Sequence, residues 1–139
     1  MTDYAVTLST LMAREQHGLQ TVAALAQKSG LTQSTVSQIV KKLAKYGVLN
    51  SARGASGGYT LALPAEQITM QHVVEAMEGP IALTRCLEHG DNKACAIEQF
   101  CCTKSSWAKV NDAVKHALGT LTLADVAGTS NNKKVVNIK

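Results

Sequence analysis

The chain has 139 residues, 45% of them apolar, which suits one domain with an appendage and is short for two full domains. Its aromatic residues are Tyr4, Tyr46, Tyr59, Phe100 and Trp107, too few for a platform that stacks RNA bases. No apolar run approaches the ~18 residues of a membrane span, and no basic start leads into an apolar stretch with a cleavage site, so the expected setting is the cytoplasm, without a membrane partner. In that reducing compartment four cysteines point to metal or thiol chemistry before a disulfide framework.

The net charge of +4 is unevenly spread. Residues 1–64 hold six basic side chains (Arg14, Lys28, Lys41, Lys42, Lys45, Arg53) against Asp3 and Glu15, whereas residues 65–139 hold eight of each sign. The whole excess sits in the half without cysteine, as expected if that half meets a polyanion. The plainer alternative is a solvated basic face.

In chain order, residues 3–16 place Tyr4, Ala5, Leu8, Leu11 and Met12 at helical spacing, and His17-Gly18 ends that helix. Thr21 can cap a second helix closed by Gly30. After a short Leu31-Thr32 turn, Val36, Ile39, Val40 and Leu43 form one stripe of a third helix that stops at Gly47. VLNSAR and GYTLAL then read as a β-hairpin around a glycine-rich tip, ended by Pro64. Thr69 opens a fourth helix that Gly79-Pro80 terminates. Residues 81–102 are irregular and hold every cysteine. A last long helix from about Ser105 to Leu121 carries a narrow seam of Trp107, Val110, Val114, Ala117, Leu118 and Leu121, too much apolar surface for a terminal helix to leave in water. The tail is polar and expected to be disordered. The expected organisation is a DNA-binding head at 1–80, a cysteine loop at 81–102, a dimerisation helix at 103–127 and a tail at 128–139. The fold class is mainly α with a small β-hairpin, a winged helix-turn-helix plus a long C-terminal dimerisation helix.

Two short helices, a tight turn, a third helix with a polar face and a hairpin are the parts of a winged helix-turn-helix. Ser34, Gln38, Lys41 and Lys45 cluster opposite the apolar stripe of the third helix, flanked by Thr35, Ser37 and Lys42. Hydroxyls and an amide near the helix start suit base edges in a major groove, and the lysines further along suit phosphates. Arg53, at the edge of a hairpin with no bulky side chain before Tyr59, suits a minor groove. The alternative for Arg53 is an ordinary surface arginine beside a mobile turn.

Cys86, Cys95, Cys101 and Cys102 contain no C-x-x-C knuckle, so the local signature of a zinc site is missing. Thiolates spread along sixteen residues of irregular chain suit a larger object such as an iron-sulfur cluster. Neighbouring Cys101 and Cys102 point in different directions, so one of them is expected to ligate while the other packs or stays spare.

Through DYAV, GLTQSTVSQIVKKLAKYGVL, RGASGGYTL, ITMQHVVEAMEGP, the cysteine loop and TLADV, residues 3–126 resemble the winged-helix iron-sulfur transcription regulators, the family of IscR and NsrR. The resemblance is strongest to the branch that regulates the SUF cluster-assembly operon. It implies a homodimer on a double-stranded DNA operator, and a cluster, of the 2Fe-2S type with 4Fe-4S as the alternative, that alters operator binding. It further implies Cys86, Cys95 and Cys101 as ligands. The fourth is Asp3 of the partner subunit, which matches an aspartate early in the first helix of NsrR, with Cys102 as the alternative. The competing role for Asp3 is to favour its own helix N-terminus. Two departures stand out: Lys104 replaces a histidine ligand of IscR, and Ser37 replaces a glutamate that reads DNA there, so the preferred operator should differ. The chain also starts a few residues later than that family.

No G-x-S-x-G, H-E-x-x-H or phosphate-binding glycine motif is present, so neither an enzyme nor a small-molecule substrate is expected. His17, His72, His89 and His116 show no metal spacing. The leading reading is a cluster-sensing repressor of iron-sulfur assembly (SUF) genes. The alternatives are a cluster-free thiol/disulfide redox-sensing regulator, a nitric-oxide-sensing repressor, and an electron carrier or assembly scaffold with no role at DNA.

Overall fold

The computed structural model describes residues 1–15, 18–87 and 95–129. Its first helix, α1 (Thr2–Arg14), buries Ala5, Leu8, Ser9, Met12 and Ala13. Tyr4, expected on that face, is 42% exposed, because the buried face centres between Leu8 and Ala13, roughly 110° round the helix from Tyr4.

The next two helices are set by their caps. In α2 (Val22–Ser29) the Thr21 side chain accepts from the Ala24 amide at 3.1 Å, and Gly30 closes the helix at φ 73°. In α3 (Gln33–Tyr46) Thr32 accepts from the Thr35 amide at 3.2 Å, and Gly47 closes at φ 88°. Such caps satisfy amides that have no partner inside the helix, and glycine takes the left-handed stop without a Cβ penalty. Val36, Ile39, Val40 and Leu43 are completely buried, as their spacing predicts.

Strands β1 (Leu49–Ala52) and β2 (Gly58–Leu61) pair antiparallel, with Leu49 opposite Leu61 and Ala52 opposite Gly58. The sequence pattern did not indicate that the approach to α2 joins this wing. The Gln20 and Tyr59 amides donate to each other's carbonyls at 2.9 Å, giving the hairpin a third edge. Gly58 permits it, since a Cβ there would meet the Gln20 carbonyl oxygen at 2.6 Å.

Helix α4 (Met70–Glu78) opens with a reciprocal cap: the Thr69 side chain accepts from the His72 amide, and His72 Nδ1 accepts from the Thr69 amide at 3.1 Å. Single 3-10 turns come next at Arg85–Leu87 and Glu98–Phe100, then α5 (Lys104–Thr120) and α6 (Leu123–Ala127). Residues 103–127, expected as one dimerisation segment, thus hold two helices. Thr122 and Asp125 cap α6 reciprocally, and Leu123, Ala124 and Ala127 are buried as it returns onto α1. Burial of a leucine side chain such as Leu123 contributes about 1.5–3 kcal/mol. Backbone bonds from Met70 to Leu121 and from Leu123 to Ile68, each 2.8 Å, tie this return to the entrance of α4. No helix among the described residues is long and apolar enough to cross a membrane. His17, His89 and tail residues 130–139 lie outside the described residues.

Candidate nucleic-acid interface and cysteine segment

The packing of α3 through its apolar stripe leaves the opposite face outward. Ser34, Gln38, Lys41 and Lys45 are exposed there, with Thr35 and Ser37 half-buried at the flanks. Two of the named residues are partly committed elsewhere. The Thr35 hydroxyl lies 2.9 Å from that of Thr32, and Lys42 Nζ reaches the Met77 carbonyl at 3.5 Å, which leans it toward the end of α4. Tyr46 donates to Glu75 at 3.0 Å and further ties α3 to α4. Partial burial, then the neighbouring carboxylate, holds its phenol above the usual range.

The six basic residues of the first half fall into two sets, with Lys42 between them. Arg14 donates from Nε to the Ala127 carbonyl at 3.2 Å. Lys28 binds both Glu15 oxygens, at 2.5 and 2.6 Å, and that contact first, with help from Gln20, holds the Glu15 carboxyl below its ordinary range. These two cations serve the fold. Lys41, Lys42, Lys45 and Arg53, the four nominated from sequence, have no carboxylate partner among the described residues. Arg53 stands exposed at the wing tip, where Gly54 at φ 109° turns the chain and a Cβ at Gly57 would meet the Ala52 carbonyl at 2.7 Å. Thin backbone around one guanidinium suits a groove.

All four cysteines carry free thiols; Cys86 and Cys101 are half-buried, Cys95 and Cys102 exposed. The Thr84 hydroxyl lies 3.1 Å from Cys86 Sγ. Cys101 sits just before α5, where the Thr103 hydroxyl at 3.5 Å first, then the Thr103 and Lys104 amides and the Lys104 charge, hold its thiol below the ordinary cysteine range. Among the described residues no three Cys, His, Asp or Glu side chains are gathered as a metal site. The donor set nevertheless fits an iron-sulfur cluster in kind: soft thiols with different exposures on one segment, one of them favoured as thiolate. Asp3 is exposed and pairs with the Met1 amine at 2.9 Å, which lowers its carboxyl chiefly through that hydrogen bond.

Sequence reasoning passed over one buried polar residue next to this segment. Asn111 of α5 is 5% exposed, donates to the Ile81 carbonyl and accepts from the Leu83 amide, both at 3.0 Å. An asparagine in mid-helix beside an apolar seam was the available signal, because buried polar side chains need partners.

Residues 1–129 match the Rrf2 family, described as iron-dependent transcriptional regulators. IscR of Pectobacterium atrosepticum is 30% identical over 136 residues, covering 97% of this chain and 79% of that protein. CymR of Bacillus subtilis is 28% identical over 132 residues, covering 94% and 89% respectively. The solved structure of B. subtilis CymR, the global cysteine regulator, superposes with a TM-score of 0.69 at 28% identity, over 94% of this chain and 95% of that one. T. potens IscR superposes at 0.64 with 27% identity, over 91% and 82%. These relatives are transcription regulators rather than enzymes, and the winged helix-turn-helix is their shared frame. Matched by the family model over residues 1–129, and similar to its regulators in sequence and in shape over nine-tenths of its length, the chain belongs to the Rrf2 family of transcription regulators.

Proposed function

We propose that this regulator binds its operator as a homodimer and senses an iron-sulfur cluster held by Cys86, Cys95 and Cys101, repressing cluster-assembly genes of the SUF type. The observation that carries the reading is position: all four free thiols lie between the reading head and α5, on a segment fastened to α5 by Asn111. The apolar side chains of α5 support the dimer. Trp107 and Val110 are 43% and 45% exposed in the protomer, a row that a two-fold partner would cover while setting two reading heads at fixed spacing.

When bound, a cluster supplies the response to iron-sulfur supply or to oxidants; the protein's share is to hold its donors. Cys101 is poised by Thr103 and Lys104, Cys86 by the Thr84 turn, and Cys95 is open to enter. The fourth donor is Asp3 of the partner subunit, or Cys102. Ser34, Gln38, Lys41, Lys45 and Arg53 read and grip DNA. A coupling of about 1–3 kcal/mol between the two sites would change operator affinity roughly 5- to 150-fold.

A second reading is favoured by the lowered thiol of Cys101 and by the relationship to CymR, whose Staphylococcus aureus form has been solved in an oxidized state at 25% identity. It is a cluster-free thiol switch. Purification without air, then iron and acid-labile sulfide assays and binding to duplexes selected from a random pool, separates the two. Stoichiometric iron and sulfide, with affinity that changes on cluster removal, supports the cluster. A colourless protein whose DNA affinity responds to peroxide and dithiothreitol alone would replace it.

A further inference from the structure

Among the described residues, Ser9 and Asn111 are the buried polar side chains. Asn111 makes its side-chain bonds outside its own helix, to the stretch of chain that leaves α4. That stretch has no strand or helix to receive its peptide groups, so the carboxamide of Asn111 acts as a substitute peptide, taking one donor and offering one in return. The chain just beyond Leu83 is equally specific. The Leu87 amide donates to the Thr84 carbonyl at 3.0 Å to make the turn Arg85–Leu87, and the Thr84 hydroxyl meets Cys86 Sγ. The chain that Asn111 holds at Ile81 and Leu83 thus runs directly, through one peptide bond, into the hydrogen-bonded turn that carries the first cysteine.

We propose that Asn111 is a positioning residue for the cysteine segment: by clamping residues 81–83 it fixes Cys86 at a set height along α5. A shift of Cys86 is then passed to the helix instead of being absorbed by slack in the connection. The consequence for regulation rests on the proposed sensing role of the cysteine segment, but the clamp itself is a property of the polypeptide and is tested without iron. Leucine at this position would fill much the same space and offer neither bond.

The experiment tracks labelling of iron-free, full-length protein by N-ethylmaleimide, read site by site by mass spectrometry. In Asn111→Leu the rate at Cys86 should rise roughly five- to thirty-fold, as expected for losing two hydrogen bonds that hold it. Cys101, which is also half-buried but lies outside the clamp, should keep its rate, whereas general loosening would raise both. An unchanged ratio of Cys86 to Cys101 in a variant that melts cooperatively overturns the proposal. Should Asn111→Leu not fold, Asn111→Ala also removes both bonds and should raise the ratio in the same direction. Independently of any variant, the Leu83 amide of the wild-type protein should be protected from hydrogen exchange, and exchange at the rate of an unbonded amide overturns the clamp. Absence of iron and sulfide from anaerobically purified protein would sink the cluster reading and leave these outcomes untouched.

Discussion

Removal of single cations from the first half of the chain should separate those that hold DNA from those that hold the fold. Lys41 is exposed on the outer face of α3 and Lys28 is bound by Glu15. Each phosphate neutralised contributes about 0.9 to the slope of log affinity against log salt. In a two-fold complex, Lys41→Ala removes two such contacts, so the slope should fall in magnitude by about 1.8. Raising salt threefold, from about 0.1 to 0.3 M, should then weaken the wild type roughly sevenfold more than the variant. Lys28→Ala should leave the slope alone and change stability little, because its ion pair is partly exposed and screened. Lys42→Ala should fall between the two, since Nζ is already drawn toward Met77. Fluorescence anisotropy with a labelled duplex at four or five salt concentrations reads all three slopes. Equal slopes for Lys28→Ala and Lys41→Ala would refute the assignment of the α3 face to DNA.

Gln38→Ala should relax preference at one operator position by about 1–3 kcal/mol while leaving random-sequence affinity nearly unchanged, measurable by competition among single-base operator variants. Val110→Glu should give a folded monomer by sedimentation, since Val110 is exposed within the protomer; an unchanged sedimenting mass would count against α5 as the interface. Gly58→Ala should lower stability by about 1–3 kcal/mol in urea titration, because the new Cβ overpacks against the Gln20 carbonyl. Cys101 has a thiol held below the ordinary range, so its thiolate persists to lower pH: the half-point of its labelling by iodoacetamide should lie below that of a free cysteine, and Thr103→Ala should move it upward.

The elements that could be read from sequence are those whose cause is local. Thr21, Thr32 and Thr69 cap the helices they precede, Gly30 and Gly47 stop two of them, and the fully buried stripe of α3 obeys its own spacing. Lys41 and Lys45 came from the same pattern, because a helix with one apolar stripe must turn its other face outward, and Arg53 came from the glycine-rich hairpin that follows. What stayed hidden depends on distant chain. Nothing near Tyr4 says that α6 will dock on α1 and rotate the buried face away from it. Likewise, Lys28 of α2 pairs with Glu15, the residue just past the end of α1. For α6 there was a usable local sign: Thr122 with Asp125 three residues later, ahead of Val126, is a capping pattern, which marks a new helix after Leu121.

How α5 is joined to the head decides what the cysteine segment can do. A helix on a free tether could carry a dimer seam, yet a change at its start would be lost in the tether. Here α5 is held at three levels. Asn111 binds the chain leaving α4, Gly119 brings the helix so near α4 that a Cβ would lie 3.1 Å from Gln71 Oε1, and the Leu121 carbonyl accepts from the Met70 amide. Between Glu78 and Lys104 the chain leaves and returns to one packed unit, with Cys86 near its departure and Cys101 near its return. Closing that loop by ligation, or by oxidation, draws together two points on a frame with little slack. On the proposed sensing role, the response would be a strain between α4 and α5, and because α4 packs on α3, that helix is the next element it would reach.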